Sequence, residues 1–394
     1  MIGQMRGRRW TKLLAAGLTV GLLMASMGIT AMATEVVPAN PSTESQSGDA
    51  ASEATLIVGS PLVDTSSSSG QTSTVTAGAG SSMGSTGTSS VVVAGGGSSS
   101  NSYGPSVYTS ISTEGDKGYP VQNAILGGAE LVMLQSQTEG QMMSFLLQTK
   151  SGSLIVVDGG RWDDGDYLVQ KIRERGGRVS AWFLTHTHTD HVGALLKILT
   201  NEAAGVDTGI EIDHIYYNFA SLDWYASHEL SDYGTASEII SYLNALPETQ
   251  RHTVAKGDVI TVDEATVTVL NNRYEPSVVG ERDGNDASIA YRMMVNGVSI
   301  LFLGDMQTAG GQWLVQETGG NLKSDIVQMA HHGQNGVSEA VYQAINPTIC
   351  LWPTPGWLWN NTSGNYLTPE TKSWMNKLNV QRHYCTKDGD QTIR

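Results

Sequence analysis

The stretch Thr185-His186-Thr187-His188-Thr189-Asp190-His191 puts three imidazoles and a carboxylate into seven residues, directly behind the apolar run Val179 to Leu184. That run reads as a buried strand, and Val192-Gly193-Ala194-Leu195-Leu196 reads as the start of a helix. Side chains at a strand tip and a helix start are rigidly held. So dense a set of nitrogen and oxygen donors in such a place points to a metal site on a sheet-based fold.

The rest of the chain divides by composition. Residues 1–34 carry Arg6, Arg8, Arg9 and Lys12, then an apolar run from Leu13 to Ile29, then the small-residue pattern Ala31-Met32-Ala33. This is the pattern of a secretory signal peptide, and the apolar run is short for a membrane span. Arg8-Arg9 also admits twin-arginine export, although the flanking residues fit that route poorly. Residues 35–118 are dominated by Ser, Thr, Gly and Ala, with runs such as Ser98-Ser99-Ser100. Such a segment buries too little apolar surface to offset its ordering entropy and is expected to be a disordered linker. The globular part is then 119–394, of a length that suits one large domain.

Within that part, Glu130 to Leu134, Met142 to Gln148 and Leu154 to Val157 read as successive antiparallel strands. A helix over Asp166 to Arg175 stops at Gly176-Gly177 before the metal stretch. A strand at Ile212 to Phe219, an aromatic loop Leu222-Asp223-Trp224-Tyr225 and a helix over Thr235 to Leu246 follow. A second group of strands spans Val259 to Leu303, with a hairpin signal at Asn296-Gly297. Helices and strands then alternate: strand Asp325 to Met329, helix Ser338 to Ile345, strand Thr348 to Trp352, helix Pro369 to Leu378, strand Gln381 to Tyr384. Gly389 to Arg394 reads as a strand or turn in progress, the pattern of a chain that continues. The whole is an α/β (α+β) chain with two sheet halves and outer helices.

Three further pieces lie just past apolar strands: Asp158 in Val157-Asp158-Gly159-Gly160, Asp305 in Leu303-Gly304-Asp305, and His331-His332-Gly333. Strand ends on one edge converge, which brings these residues into one cleft with His186 to His191. The formal net charge of -15 leaves no strong nucleic-acid-binding signature, although a metal site can neutralise phosphate locally. Cys350 and Cys385 are the only cysteines and are read as buried free thiols, with a disulfide the alternative.

This arrangement resembles the metallo-β-lactamase superfamily, whose hallmark is His-x-His-x-Asp-His after a strand with further His and Asp ligands downstream. The resemblance runs from about Ala129 to Ile393. Asn285-Asp286-Ala287-Ser288 before a strand, then Leu303-Gly304-Asp305, then His331-His332-Gly333 look like the ComEC-type hydrolases and the bacterial phosphorylcholine esterases. The resemblance implies a four-layer αββα sandwich with a dinuclear metal site, usually zinc. It implies that His186 and His188 bind the first metal, Asp190 and His191 the second, that Asp305 bridges, and that His331 completes the second site. Asp158 is then an outer partner, and Asp190 and His332 are the residues expected to take part in catalysis. Ligands of nitrogen and carboxylate type suit zinc and leave manganese or iron open.

One departure stands out. Superfamily members place another histidine in a Gly-His turn, where this chain has Gly284-Asn285-Asp286. The first metal then lacks a protein ligand, takes Asn285 or Asp286, or draws on His214, His228 or His252. The aromatic stretch Trp352 to Trp359 is expected to follow a strand ending on the same edge and to wall the cleft, where indole faces can hold a quaternary ammonium or simply pack the loop. The expectation is an exported, extracellular hydrolase that uses a metal-bound hydroxide on a small-molecule or polymer phosphodiester, with no membrane span in the mature chain. Lactone or β-lactam hydrolysis is the alternative reaction, and a surface binding module that has lost a metal is the alternative outside enzymes.

Overall fold

The computed structural model describes residues 110–117, 125–275, 283–362 and 364–394. The predicted signal peptide and most of the predicted linker therefore lie outside the described residues. Residues 110–117, which composition groups with the linker, instead pack against the C-terminal part of the chain: Ile111 and Thr113 are buried, Thr113 Oγ1 donates to Asp388, and Lys387 pairs with Asp116 at 2.8 Å. Composition misses this because a few contacts, rather than an apolar run, hold the segment.

Among the described residues, sixteen strands form two large sheets and one small one. In chain order they are β1 (Glu130–Met133), β2 (Ser144–Gln148), β3 (Leu154–Asp158), β4 (Arg178–Val179), β5 (Ala181–Phe183), β6 (Glu211–Ile212), β7 (Ile215–Tyr217) and β8 (Arg251–Thr253). The second half supplies β9 (Val259–Val262), β10 (Ala265–Val269), β11 (Tyr291–Val295), β12 (Val298–Phe302), β13 (Ile326–Gln328), β14 (Ile349–Trp352), β15 (Arg382–Cys385) and β16 (Gln391–Ile393). The first sheet runs β16-β1-β2-β3-β5-β7-β8, the second β15-β14-β13-β12-β11-β10-β9. Each is antiparallel on one side and parallel on the other. The parallel strands are connected by helices, as parallel pairing requires.

Three cores separate four layers. Phe145, Leu147, Ile155 and Phe183 of the first sheet meet Val267, Tyr291, Ile300 and Phe302 of the second in the central one. Phe145 and Phe302 touch edge to face, with ring centroids 5.1 Å apart. Outside the first sheet, helices Gly165–Arg173, Thr189–Ala203 and Tyr233–Ala245 bury Leu168, Leu195 and Ile239 against Val156 and Trp182. Outside the second, helices Thr308–Thr318, Glu339–Ile345 and Thr368–Lys377 bury Leu314, Tyr342 and Met375 against Val327 and Trp352. The chain is an αββα sandwich. The strand β3 is buried along its whole length because layers cover both its faces, so its sequence, Leu-Ile-Val-Val-Asp, does not alternate.

Two readings shift in detail. The run Val179 to Leu184 is split: Val179 belongs to β4, which pairs with β6 in a two-stranded sheet, and only Ala181–Phe183 joins the main sheet. The aromatic loop is a short helix, Leu222–His228, started by Ser221, whose side chain accepts from Trp224 N. Cys350 and Cys385 are buried free thiols, lying near Met375 Sδ and Thr354 O respectively.

The two sheets depend on the central core for their alignment. Phe302→Ala should lower unfolding free energy by about 3–5 kcal/mol in a denaturant titration, the range for deleting a buried aromatic ring. A loss below about 1 kcal/mol would show that the sheet faces are not tightly packed there.

Candidate metal centre

The carboxyl ends of the parallel strands meet on one edge. Asp158 ends β3, Thr185 to His191 follow β5, Asp305 follows β12 and His332 follows β13. The helix Thr189–Ala203 can approach this edge because Gly193 has no side chain: a Cβ there would lie 2.5 Å from Trp162 N. Its first turn carries Asp190 and His191.

Asp190, His191, Asp305 and His332 form one compact set, with one donor atom from each inside a 4.8 Å span. His191 Nε2 lies 3.2 Å from Asp305 Oδ2, and His332 Nε2 lies 3.3 Å from both Asp305 Oδ2 and Asp190 Oδ2. Ligands about 2.0–2.2 Å from a tetrahedral ion stand roughly 3.3 Å from one another, so these separations match the edges of such a polyhedron. His186 Nε2, His191 Nε2, His332 Nε2 and Asp305 Oδ1 are buried without a hydrogen-bond partner. Buried polar atoms are normally satisfied, and four orphans in one place fit a site that receives a cation.

The opposite face of each ligand is fixed by the protein. Asp158 Oδ2 lies 2.7 Å from His191 Nδ1, and the same carboxylate accepts from Thr185 N at 2.8 Å and Thr185 Oγ1 at 2.7 Å. His332 Nδ1 lies 2.9 Å from Pro353 O. Each contact selects the tautomer that leaves Nε2 for a metal. Asp305 N donates to Ser288 Oγ at 3.2 Å. Along the extended segment, Thr185 Oγ1 reaches Asp158 and Thr187 donates to Asp232 at 2.5 Å, while the rings of His186 and His188 lie beside each other, 4.6 Å apart.

Charge is balanced within the set. Burial works against ionised His191, but Asp305 and Asp158 outweigh it and hold the imidazole well above its ordinary value. Burial likewise opposes the charged form of His332, and Asp305 with Asp190 brings it up to about 9. Asp305 sits well below the usual carboxylate range, where His191 and His332 overcome its burial. His186 is pushed well below its usual value by burial, with the neighbouring histidines adding to the effect, and is neutral as a ligand must be.

The Metallo-beta-lactamase superfamily family model matches residues 138–341, which holds every residue of this set. The chain belongs to that superfamily. It is a metal-dependent hydrolase of that family, with the superfamily fold. A stretch of 77 residues is 37% identical to the competence protein ComA of Neisseria gonorrhoeae, covering 19% of this chain and 11% of ComA. Among solved structures, unliganded yeast PDE1 is similar with TM-score 0.43 and 13% identity, covering 67% of this chain and 99% of that one. The metallo-beta-lactamase fold protein YhfI of Bacillus subtilis is similar with TM-score 0.40 and 12% identity, over 67% of this chain and 99% of that one.

The structure brings Asp190, His191 and Asp305 together and sets His186 and His188 beside them, the His186 ring 4.1 Å from that of His191. The neighbouring pair differs. His332, expected to take part in catalysis, stands inside the set, whereas His331 Nε2, expected as a ligand, is 4.0 Å from Asp305 Oδ2 and 3.4 Å from Asn285 Nδ2. Both residues have left-handed backbone, φ 50 and φ 55, so the turn points their rings in different directions, and the Pro353 carbonyl captures the second. His214 and His252 pair with each other at 3.0 Å beside Tyr216, and His228 stacks on Trp224 at 4.9 Å; none of the three joins the set. Of the aromatic stretch, Trp352 and Trp359 pack in the outer core, while Trp357 is exposed and lines a cavity of about 270 Å³ with Glu139, Met142 and Pro353.

Two measurements follow. Asp158→Asn should weaken metal binding by about 10–100-fold in a chelator competition, because the ring of His191 loses the carboxylate that orients it. Metal affinity should also rise with pH between about pH 7 and pH 9, since His332 must give up a proton held up to about 9 and His191 one held well above its ordinary value. A flat profile between about pH 7 and pH 9 would contradict that charge balance.

Proposed function

We propose that this chain is an exported, metal-dependent hydrolase of phosphodiesters that uses zinc, with manganese or iron as the other metals its nitrogen and carboxylate donors suit. Support for the phosphoryl reading comes from one observation: two donor groups stand side by side, His186 and His188 in one and Asp190, His191, Asp305 and His332 in the other. Metal ions held by these two groups would supply Lewis-acid polarisation of a phosphoryl oxygen and a water of lowered pKa. The superfamily resemblance of the Asn285-Asp286, Leu303-Gly304-Asp305 and His331-His332 pieces points the same way. Export rests on the basic and apolar pattern of residues 1–34.

The protein's own groups take the remaining parts. Asp305 and Asp190 set the negative charge that offsets the metals, and Pro353 and Asp158 keep the ligand imidazoles from turning. His331 is only partly exposed and lies 4.0 Å from Asp305 at the edge of the set, and burial lowers its pKa, so we assign it, as a neutral imidazole, to hydrogen-bonding the substrate rather than to carrying a proton. A cavity of about 270 Å³ is lined by Pro353, whose carbonyl orients His332, and by Met142, whose neighbour Met143 donates to Asp190 O at 3.0 Å. We place the non-reacting part of the substrate there. Among the described residues no helix is long and apolar enough to cross a membrane.

The test is turnover by full-length protein, stripped of metal and reloaded with zinc or manganese, of bis(p-nitrophenyl) phosphate, a lactone and a β-lactam. Hydrolysis of the phosphodiester is expected, lost with EDTA, and lost in Asp305→Asn by more than the roughly 10–100-fold of an outer partner. Turnover of the carbonyl substrates alone would reject the phosphodiester reading.

A further inference from the structure

The geometry points to Glu229 as the ligand that stands in for the missing histidine of the first metal site, together with His186 and His188. This rests on the metal-dependent reading above and gives one of its two sites a third protein donor.

Glu229 caps the helix Leu222–His228 at its C-terminal end, and its side chain is only 3% exposed. A carboxylate taken so far from water needs compensation. Its Oε2 accepts from Gly284 N at 3.2 Å and its Oε1 from Ser231 Oγ at 3.2 Å. The same Oε1 stands 3.8 Å from His188 Nε2, beyond hydrogen-bond reach and near the edge length of roughly 3.3 Å expected for two ligands of one zinc ion. The second observation is independent of the carboxylate: His186 Nε2, in a residue 2% exposed, has no partner, and the His186 ring lies 4.6 Å from that of His188.

The turn that would carry the family's histidine shows why the position is open to another residue. A Cβ on Gly284 would lie 3.0 Å from His188 Nε2 and 3.3 Å from Glu229 Cγ, so the absence of a side chain there leaves the space between the two donors clear. The next residue, Asn285, points its amide nitrogen at His331, 3.4 Å away, and leaves Oδ1 buried and unpaired. A neutral amide oxygen is a weaker zinc donor than a carboxylate, which is the reason for choosing Glu229. A purely structural Glu229, clasping the Gly284 turn, makes a different forecast: glutamine keeps a carbonyl oxygen for Gly284 N–H while giving up the charge.

The experiment counts metal in the full-length chain. Protein stripped with a chelator is equilibrated with buffered zinc and assayed by inductively coupled plasma mass spectrometry, and cobalt(II) absorption reports the ligand set. Wild type should hold two ions per chain; Glu229→Gln should lose one, or hold it at least tenfold more weakly, with the other unchanged; Glu229→His should restore two with altered cobalt bands. Unchanged stoichiometry and affinity in Glu229→Gln would overturn the assignment, as would loss of the ion in Asn285→Ala but not in Glu229→Gln, or wild type holding a single ion that Glu229→Gln leaves in place. Should Glu229→Gln fail to fold by circular dichroism, cobalt bands identical in wild type and Glu229→His would overturn it equally. A chain that holds two ions but hydrolyses no phosphodiester rejects the proposed function and leaves this assignment standing.

Discussion

Burying Asp158, Asp305 and His191 together is the constraint on which the rest of the structure depends. Each carboxylate is nearly or fully withdrawn from water, and isolated buried charge is strongly unfavourable. The fold meets that demand with a chain of contacts: Thr185 holds Asp158, Asp158 holds His191, and His191 faces Asp305. The strand ends, the helix start and the turn after β13 must all arrive at one edge for the charges to compensate one another. Packing elsewhere in the sandwich serves to keep those arrivals in register.

The inter-sheet core does that work from below. Tyr291 OH donates to Leu184 O at 2.9 Å, and Ile289 N donates to Thr185 O at 3.0 Å, so the second sheet is tied to the segment that carries the histidines. Gln328, fully buried, closes the other side by accepting from Leu303 N and donating to Gly304 O. Polar bonds of this kind inside an apolar core are costly to leave half-made, which favours a single arrangement of the two sheets. The ligand positions are therefore properties of the whole sandwich rather than of the loops alone.

The order of strands shows how two similar halves make one site. Each sheet turns from antiparallel to parallel, and in each the parallel strands end at the metal edge. The last strand, β16, leaves the second half and pairs with β1 of the first, at Leu131 with Ile393. The segment Gly389 to Arg394, read from sequence as an unfinished strand or turn, thus has a partner in the first sheet. Residues 110–117 fasten near the same region through Asp116 and Lys387.

Sequence alone determined the superfamily and the layered α/β architecture, and it put Asp190, His191 and Asp305 at strand tips and a helix start, because these are written in local patterns: apolar runs that become strands, and donor residues at their ends. Period and spacing report what neighbours along the chain do. They do not report which way a ring turns at the end of a tight turn, and so His331 and His332 were distinguishable only once their left-handed backbone and the Pro353 carbonyl were in view. Glu229 left no local signal either, since Ser227-His228-Glu229-Leu230 resembles any helix end. It reaches His188 only because separate elements, the helix Leu222–His228 and the Gly284 turn, are folded against the same strand tip. Contacts between residues distant in sequence are set by three-dimensional packing, and that is what the tertiary structure decided.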